Sequence, residues 1–169
     1  MVAAVVLAAG ASTRFGSPKQ RVLLEPVLAR VRAASAIDEV VVVAGAYPLE
    51  TDAPVVDCRD WQRGPGASAR CGLASLGAGV EAAVVVLADG PRLAPEAIQR
   101  VVAAWRDGVG DVVAASYGGK RGHPVVLARS RWGDVPDEGA RSLTPVLVAC
   151  DDLGEPGDVD TPADLGSIA

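Results

Sequence analysis

Apolar runs separated by glycine, proline and aspartate breaks set the rhythm of this 169-residue chain. Val2 to Ala9 is continuously apolar and stops at Gly10, where a polar, glycine-bounded loop runs to Lys19. Val27, Leu28 and Val31 recur at helical spacing within Glu25 to Ser35, with charges between them. Glu39 to Ala44 predicts a second strand, and Pro54 to Asp57 a short third one. Gly64-Pro65-Gly66 interrupts the chain before a small-residue helix over Ala67 to Leu76. Ala82 to Ala88 is another long strand, stopped by Asp89-Gly90-Pro91. Pro95 to Asp107 predicts an amphipathic helix with Ile98, Val101, Val102 and Trp105 on one face. Asp111 to Ser116 and Pro124 to Ala128 flank a Gly-Gly-Lys-Arg-Gly turn and predict a hairpin. Gly139 to Cys150 predicts a further helix, and Thr161-Pro162 a terminal helix start. Unbroken apolar strands alternating with helices imply a largely parallel sheet, made mixed by the hairpin. One α/β domain over residues 1–169 is the expectation.

Composition narrows this picture. The chain has 30 Ala and 27 Val but only 4% aromatic residues, which suits buried strands and small-faced helices. Charge is lopsided, with 14 Arg, 2 Lys and 21 acids giving a net charge of −5. An acidic domain lacks the basic footprint of a general nucleic-acid binder. No apolar run reaches the ~18–20 residues of a membrane span. The first residues enter a strand without a basic segment, unlike a secretory signal. Cys58, Cys71 and Cys150 are widely spaced and odd in number, with no zinc pattern. They are expected to be reduced core residues of a cytoplasmic protein.

Ligands of open α/β sheets bind beyond the carboxyl ends of the strands. Ala9 to Lys19, Asp89 to Arg92 and Asp158 to Asp160 fall at such places. Leu7 to Lys19 reads LAAGASTRFGSPK, which matches neither GxxxxGK[ST] nor GxGxxG. It still suits an anion: Gly10 and Gly16 let backbone N–H groups converge, Arg14 offers a fork and Lys19 a mobile charge.

That string resembles the LAAGxSxRxGxxK motif of the MobA-like nucleotidyltransferases, and within them the MocA-type branch that transfers CMP to molybdopterin. Four later stretches resemble the same family in order: Gly64-Pro-Gly-Ala-Ser68-Ala-Arg70-Cys-Gly72-Leu73, Leu87-Ala-Asp89-Gly-Pro91, Gly122-His-Pro-Val-Val126, and Asp158-Val-Asp160-Thr-Pro162-Ala-Asp164-Leu165. The resemblance implies a three-layer α/β/α fold like that of nucleotide-diphospho-sugar transferases. It also implies attack of an acceptor phosphate on the α-phosphorus of an NTP, assisted by Mg²⁺, with loss of pyrophosphate. Arg14 and Lys19 would then hold the β- and γ-phosphates, and Asp89 and Asp160 the metal, with Asp158 a competing ligand. Leu7, Ala8, Ala9, Gly10, Gly66 and Ser68 would bind the nucleotide, although Ser68 could equally cap the following helix. Ala8-Ala9-Gly10, where guanylyl-transferring relatives tend to have Ala-Gly-Gly, resembles the CTP-using branch, with GTP the alternative. Gly122 and His123 would meet the acceptor, although a packed neutral histidine is the simpler reading. Lys120, Arg121 and Arg141 would help to attract that anion, or would simply be solvated.

The likeness also implies molybdopterin as acceptor and a molybdoenzyme as delivery partner. A sugar or alcohol phosphate acceptor, or a non-catalytic carrier of the molybdenum cofactor, are the competing readings. Two departures touch the acceptor side. The turn that relatives carry between Lys19 and the first helix is shortened, and Gly90 replaces a larger polar residue.

Overall fold

The computed structural model describes residues 1–11 and 19–167. Seven strands form one sheet in the order β3-β2-β1-β4-β6-β5-β7. The strands are β1 (Val2–Leu7), β2 (Glu39–Ala44), β3 (Val55–Asp57), β4 (Ala82–Leu87), β5 (Val112–Tyr117), β6 (Lys120–Ala128) and β7 (Val146–Ala149). Only β6 runs against its neighbours, so the sheet is mixed and mostly parallel. Central β1 is in register with β2 and β4, which sets Leu7 beside Val43 and Leu87. The carboxyl ends of these strands therefore open on one edge.

Alternate residues of β1 face opposite layers. Ala4 and Val6 join Leu28, Ile98 and Val101 under α1 (Gln20–Ala33) and α3 (Pro95–Arg106). Val5 faces Ala69 and Leu73 of α2 (Pro65–Ala74) on the other side. A Cβ on Gly72 would meet Val5 and Val43, so the small residues of α2 permit close approach to the sheet.

Three expected elements come out differently. The first helix starts at Gln20, not Glu25, and runs through Pro26. An interior proline costs ~3 kcal/mol. Burial of Leu23 and Leu24 in the preceding turn, and the bond from Gln20 Nε2 to Gly10 O at 2.8 Å, offset that cost. The segment expected as a helix over Gly139 to Cys150 is a 3₁₀ turn, Ala140–Ser142, followed by edge strand β7, parallel to β5. Pro145 supplies no N–H and disfavours helix at Thr144, which leaves the β-branched run after it to pair. The hairpin is tighter than expected. Gly118 and Gly119, both at positive φ, make the turn, so Lys120 to His123 belong to β6.

The cysteine expectation is also corrected, because Cys58 and Cys71 form a disulfide. Cys58 follows β3, and α2 brings Cys71 back beside it across a 13-residue separation. Cys150 is free and buried, as expected. Among the described residues no helix is long and apolar enough to cross a membrane.

Candidate active site

Asp89 lies just beyond β4, and Val159 N–H donates to its main-chain oxygen at 3.1 Å. That bond clips the C-terminal segment onto the end of β4. Arg92 N–H adds a second clip to Pro156 O at 2.9 Å. Gly90 permits the closure, since a Cβ there would stand 3.0 Å from Pro156 Cβ. Asp158 and Asp160 thus reach Asp89, and one ligand atom from each carboxylate lies within 4.8 Å of the others. Asp164 orders this segment by accepting from Thr161 N at 2.8 Å and Asp160 N at 3.0 Å.

Lys19 meets the carboxylates. Its Nζ donates to Asp89 Oδ2 at 2.9 Å and Val159 O at 2.7 Å, and stands 3.5 Å from Asp160 Oδ1. Partial burial, followed by the charges of Asp89 and Asp160, pushes Asp158 up to about 6, with Lys19 opposing. The cluster is therefore rich in negative charge beyond what one ammonium offsets. Three hard oxygen donors this close fit a divalent cation.

Two cavities flank the cluster. One, of about 330 Å³, is bounded by Ala9, Gly10, Trp61, Ser68, Leu87 and Asp89. Its floor is fixed by Gln20 on Gly10 O and by Tyr47 Oη, which donates to Ala11 O at 3.0 Å. Ser68 is buried inside the first turns of α2, whose start is Gly64-Pro65, so it does not cap the helix. Gly66 faces elsewhere. Its N–H donates to Asp137 O at 2.9 Å, and a Cβ there would collide with the Pro136 carbonyl. Leu7 lines this cavity, while Ala8 is buried in the core.

The other cavity, of about 410 Å³, is bounded by Leu87, Leu93, Tyr117, Gly122, His123 and Asp158, among others. Gly122 and His123 lie where the register of β6 against β5 shifts after Ala114. Enclosure pushes His123 down to about 4; Arg121 adds to this and Asp89 opposes it. Lys120 stands exposed at the rim. Arg121 spends its guanidinium on the carbonyls of Ala140 (2.5 Å), Arg141 (2.6 Å) and Leu143 (2.6 Å). Arg141 is exposed.

Lys19, Asp89, Asp158 and Asp160 are thus brought together, with Ser68 and His123 on opposite flanks. Arg14 and Gly16 lie outside the described residues. Trp61 and Gln62 were not singled out from the sequence, yet both line the smaller cavity. Their signal was weak, since a lone tryptophan before a glycine break reads as ordinary core.

Residues 4–149 match the model of the MobA-like NTP transferase domain. The chain belongs to that family. No curated protein sequence matches it. In structure this MobA-like chain is similar to Rv0371c from Mycobacterium tuberculosis H37Rv, with 28% identity, 99% of this chain and 97% of that one covered, and a TM-score of 0.79. A complex of Rv0371c with manganese matches at 25% identity over 99% and 97%, with a TM-score of 0.73. CMP:2-keto-3-deoxy-manno-octonic acid synthetase complexed with CTP shares the fold at 13% identity, covering 99% and 96%, with a TM-score of 0.73. The fold is that of the nucleotidyltransferases.

Proposed function

We propose that the chain is an Mg²⁺-dependent nucleotidyltransferase that moves CMP from CTP, or GMP from GTP, to a small phosphorylated acceptor. One observation carries this reading: the carboxylate cluster stands between two cavities that share Leu87, with Asp89 in one wall and Asp158 in the other. Such chemistry needs positioning and charge neutralisation more than covalent help from the protein.

The nucleotide takes the smaller cavity. Trp61 gives the base an aromatic face, Ser68 a hydroxyl, and Ala9 and Gly10 main-chain groups. Asp89 and Asp160 would hold the metal, with Asp158 beside them. Bound Mg²⁺ supplies neutralisation of the triphosphate and of the leaving pyrophosphate. Lys19 brings a mobile cation to the same point, and Arg14 joins it as the motif implies. An oxygen of the acceptor phosphate forms the new bond to the α-phosphorus, the α–β P–O bond breaks, and pyrophosphate leaves with the electron pair. Enclosure keeps His123 from carrying an imidazolium proton to donate in this step, and a phosphate nucleophile is already ionised near pH 7.

Molybdopterin is the acceptor we propose first, on the MocA-type motifs, with a molybdoenzyme receiving the product. CTP is preferred for the Ala8-Ala9-Gly10 string, and a CTP-bound protein of this fold supports it. A different phosphorylated acceptor is favoured by two details: Arg121 is committed to main-chain carbonyls, and Gly90 adds no side chain to the larger cavity that it lines. A cytoplasmic place of action belongs to this reading, and there the Cys58–Cys71 bond would face reducing conditions.

The test is a screen of the four NTPs with Mg²⁺ against molybdopterin, sugar phosphates and alcohol phosphates, read as pyrophosphate. Release with CTP and molybdopterin is the expected result. Nucleotide binding without pyrophosphate from any acceptor would overturn the enzyme reading, and release with another acceptor alone would overturn molybdopterin.

A further inference from the structure

The wall of the smaller cavity contributed by residues 61–68 has a support beyond the packing of α2 on the sheet and the Cys58–Cys71 bond. It is held from outside by a segment far along the chain, Val135 to Gly139. Three kinds of contact converge there. The Asp137 carboxylate takes Arg70 Nη2 at 2.5 Å on one oxygen and Arg63 Nη2 at 3.2 Å on the other. Arg70 Nη1 donates to Val135 O at 2.7 Å, so one guanidinium grips the segment twice. The main-chain oxygen of Asp137 accepts from Gly66 N–H at 2.9 Å. Glycine at 64 and 66 is required by this approach, because a Cβ at either would run into the carbonyls of Asp137 and Pro136. Gly139, at φ 105°, turns the chain away immediately afterwards.

We propose that Asp137 is a positioning residue for the nucleotide: it braces Arg63 and Arg70, which bracket Gly64-Pro65 and Ser68, and so fixes the wall on which the base rests. The inference rests on the assignment of this cavity to the nucleotide. Asp137 touches no substrate. The Arg70 guanidinium, with Arg63 assisting, holds its carboxyl below the usual carboxylate range, so the brace is charged throughout the neutral range. The chain that follows this segment is tied down by Arg121 through the carbonyls of Ala140, Arg141 and Leu143. A braced wall means less ordering on binding, which is gained as nucleotide affinity rather than as rate.

The test is calorimetric titration of CTP and of GTP, each with Mg²⁺, into wild type, Asp137→Ala, Asp137→Asn, Asp137→Glu, Arg70→Ala and the Arg70→Ala/Asp137→Ala double variant. Thermal melts report folding alongside. We expect Asp137→Ala to weaken nucleotide binding by about tenfold, the scale of one charged hydrogen bond. Asp137→Glu restores most of it, and the double variant is no weaker than the worse single one, as for two halves of one contact. In turnover, KM for the nucleotide rises while kcat at saturation changes less. Should Asp137→Ala not fold, Asp137→Asn, which keeps shape and loses charge, gives the same reading at smaller size. Unchanged binding in Asp137→Ala, or additive losses in the double variant, would overturn the brace while leaving the cavity assignment standing. Absence of nucleotide binding by the wild type would overturn both.

Discussion

Lys19 and Asp89 are 70 residues apart in sequence, and the lysine Nζ sits 2.9 Å from the aspartate Oδ2. The loop after β1 and the loop after β4 are brought together because Leu7 and Leu87 end their strands side by side. The pair is only partly exposed, at 13% and 26% of the side chains, so the ammonium is a substantial counter-charge for the carboxylates. Asp89 is then the carboxylate that lines the smaller cavity and pairs with Lys19. Asp89→Asn should lower kcat by at least about 100-fold, the scale lost with one preorganised electrostatic contact. Stability should shift by no more than about 1 kcal/mol, since the lost ion pair is offset by relief of the repulsion with Asp158. Steady-state pyrophosphate release and urea midpoints check both; activity within a few-fold of wild type would remove Asp89 from the site.

Lys19 makes an opposite prediction for metal and for nucleotide. Its ammonium stands against the oxygens that a divalent ion would take. Lys19→Ala should therefore raise the affinity of the nucleotide-free protein for Mn²⁺, while raising KM for the triphosphate. Titration of Mn²⁺ alone, followed by NTP kinetics, separates the two effects. A fall in both affinities would mean that Lys19 only orders the cluster.

The long strands were readable because Val2 to Leu7, Val40 to Ala44 and Ala82 to Leu87 are apolar on both faces, as strands inside such a sheet must be. The carboxylates were readable because strand ends are where such folds bind ligands, and the motif spacing named the residues. What was not readable depended on packing across the chain. Nothing local says that Pro26 will be carried by a helix whose Leu23 and Leu24 are buried. Val146 to Ala149 becomes a strand only because β5 offers it an edge. Cys58 and Cys71 pair only once α2 folds back over β3. Trp61 gains meaning from Gly45, where a Cβ would run into both its side chain and Ala9.

Trp61 should report directly on the base. It is half-buried, with part of its surface bounding the smaller cavity. Base stacking on an aromatic ring is worth about 1–3 kcal/mol. Trp61→Ala should raise nucleotide KM by roughly 10- to 100-fold, and Trp61→Phe by less. Tryptophan fluorescence quenched by CTP, and no longer quenched in Trp61→Phe, is the spectroscopic check. Equal KM in the alanine variant would place the base elsewhere.

The Cys58–Cys71 bond closes the segment that carries this wall. A cross-link over a loop of that size is worth about 3 kcal/mol through the unfolded state. Reduction, or Cys71→Ser, should therefore lower the melting temperature by roughly 5–10 °C at this chain length. Cys150→Ser is the control that leaves the bond in place. Identical melting with and without reductant would show that the thiols are unpaired in solution.

His123 links pH to stability with a definite sign. Enclosure lowers its folded value to about 4, whereas an unfolded histidine titrates near 6.5. Between those values the unfolded chain binds a proton that the folded protein does not, so stability falls as pH drops from about 6.5 toward 4 and is flat below. His123→Gln should flatten that part of the pH profile, and the difference between variant and wild type isolates the residue from every other group. The same neutrality governs activity. If His123 takes no part in proton transfer, the pH–rate profile of His123→Gln should keep the wild-type shape between pH 5 and 8, with any loss in the acceptor KM. Loss of the acidic limb in that variant would instead make the imidazole a general base, and loss of the basic limb a general acid, the role for which a ring held neutral beside Arg121 is badly placed.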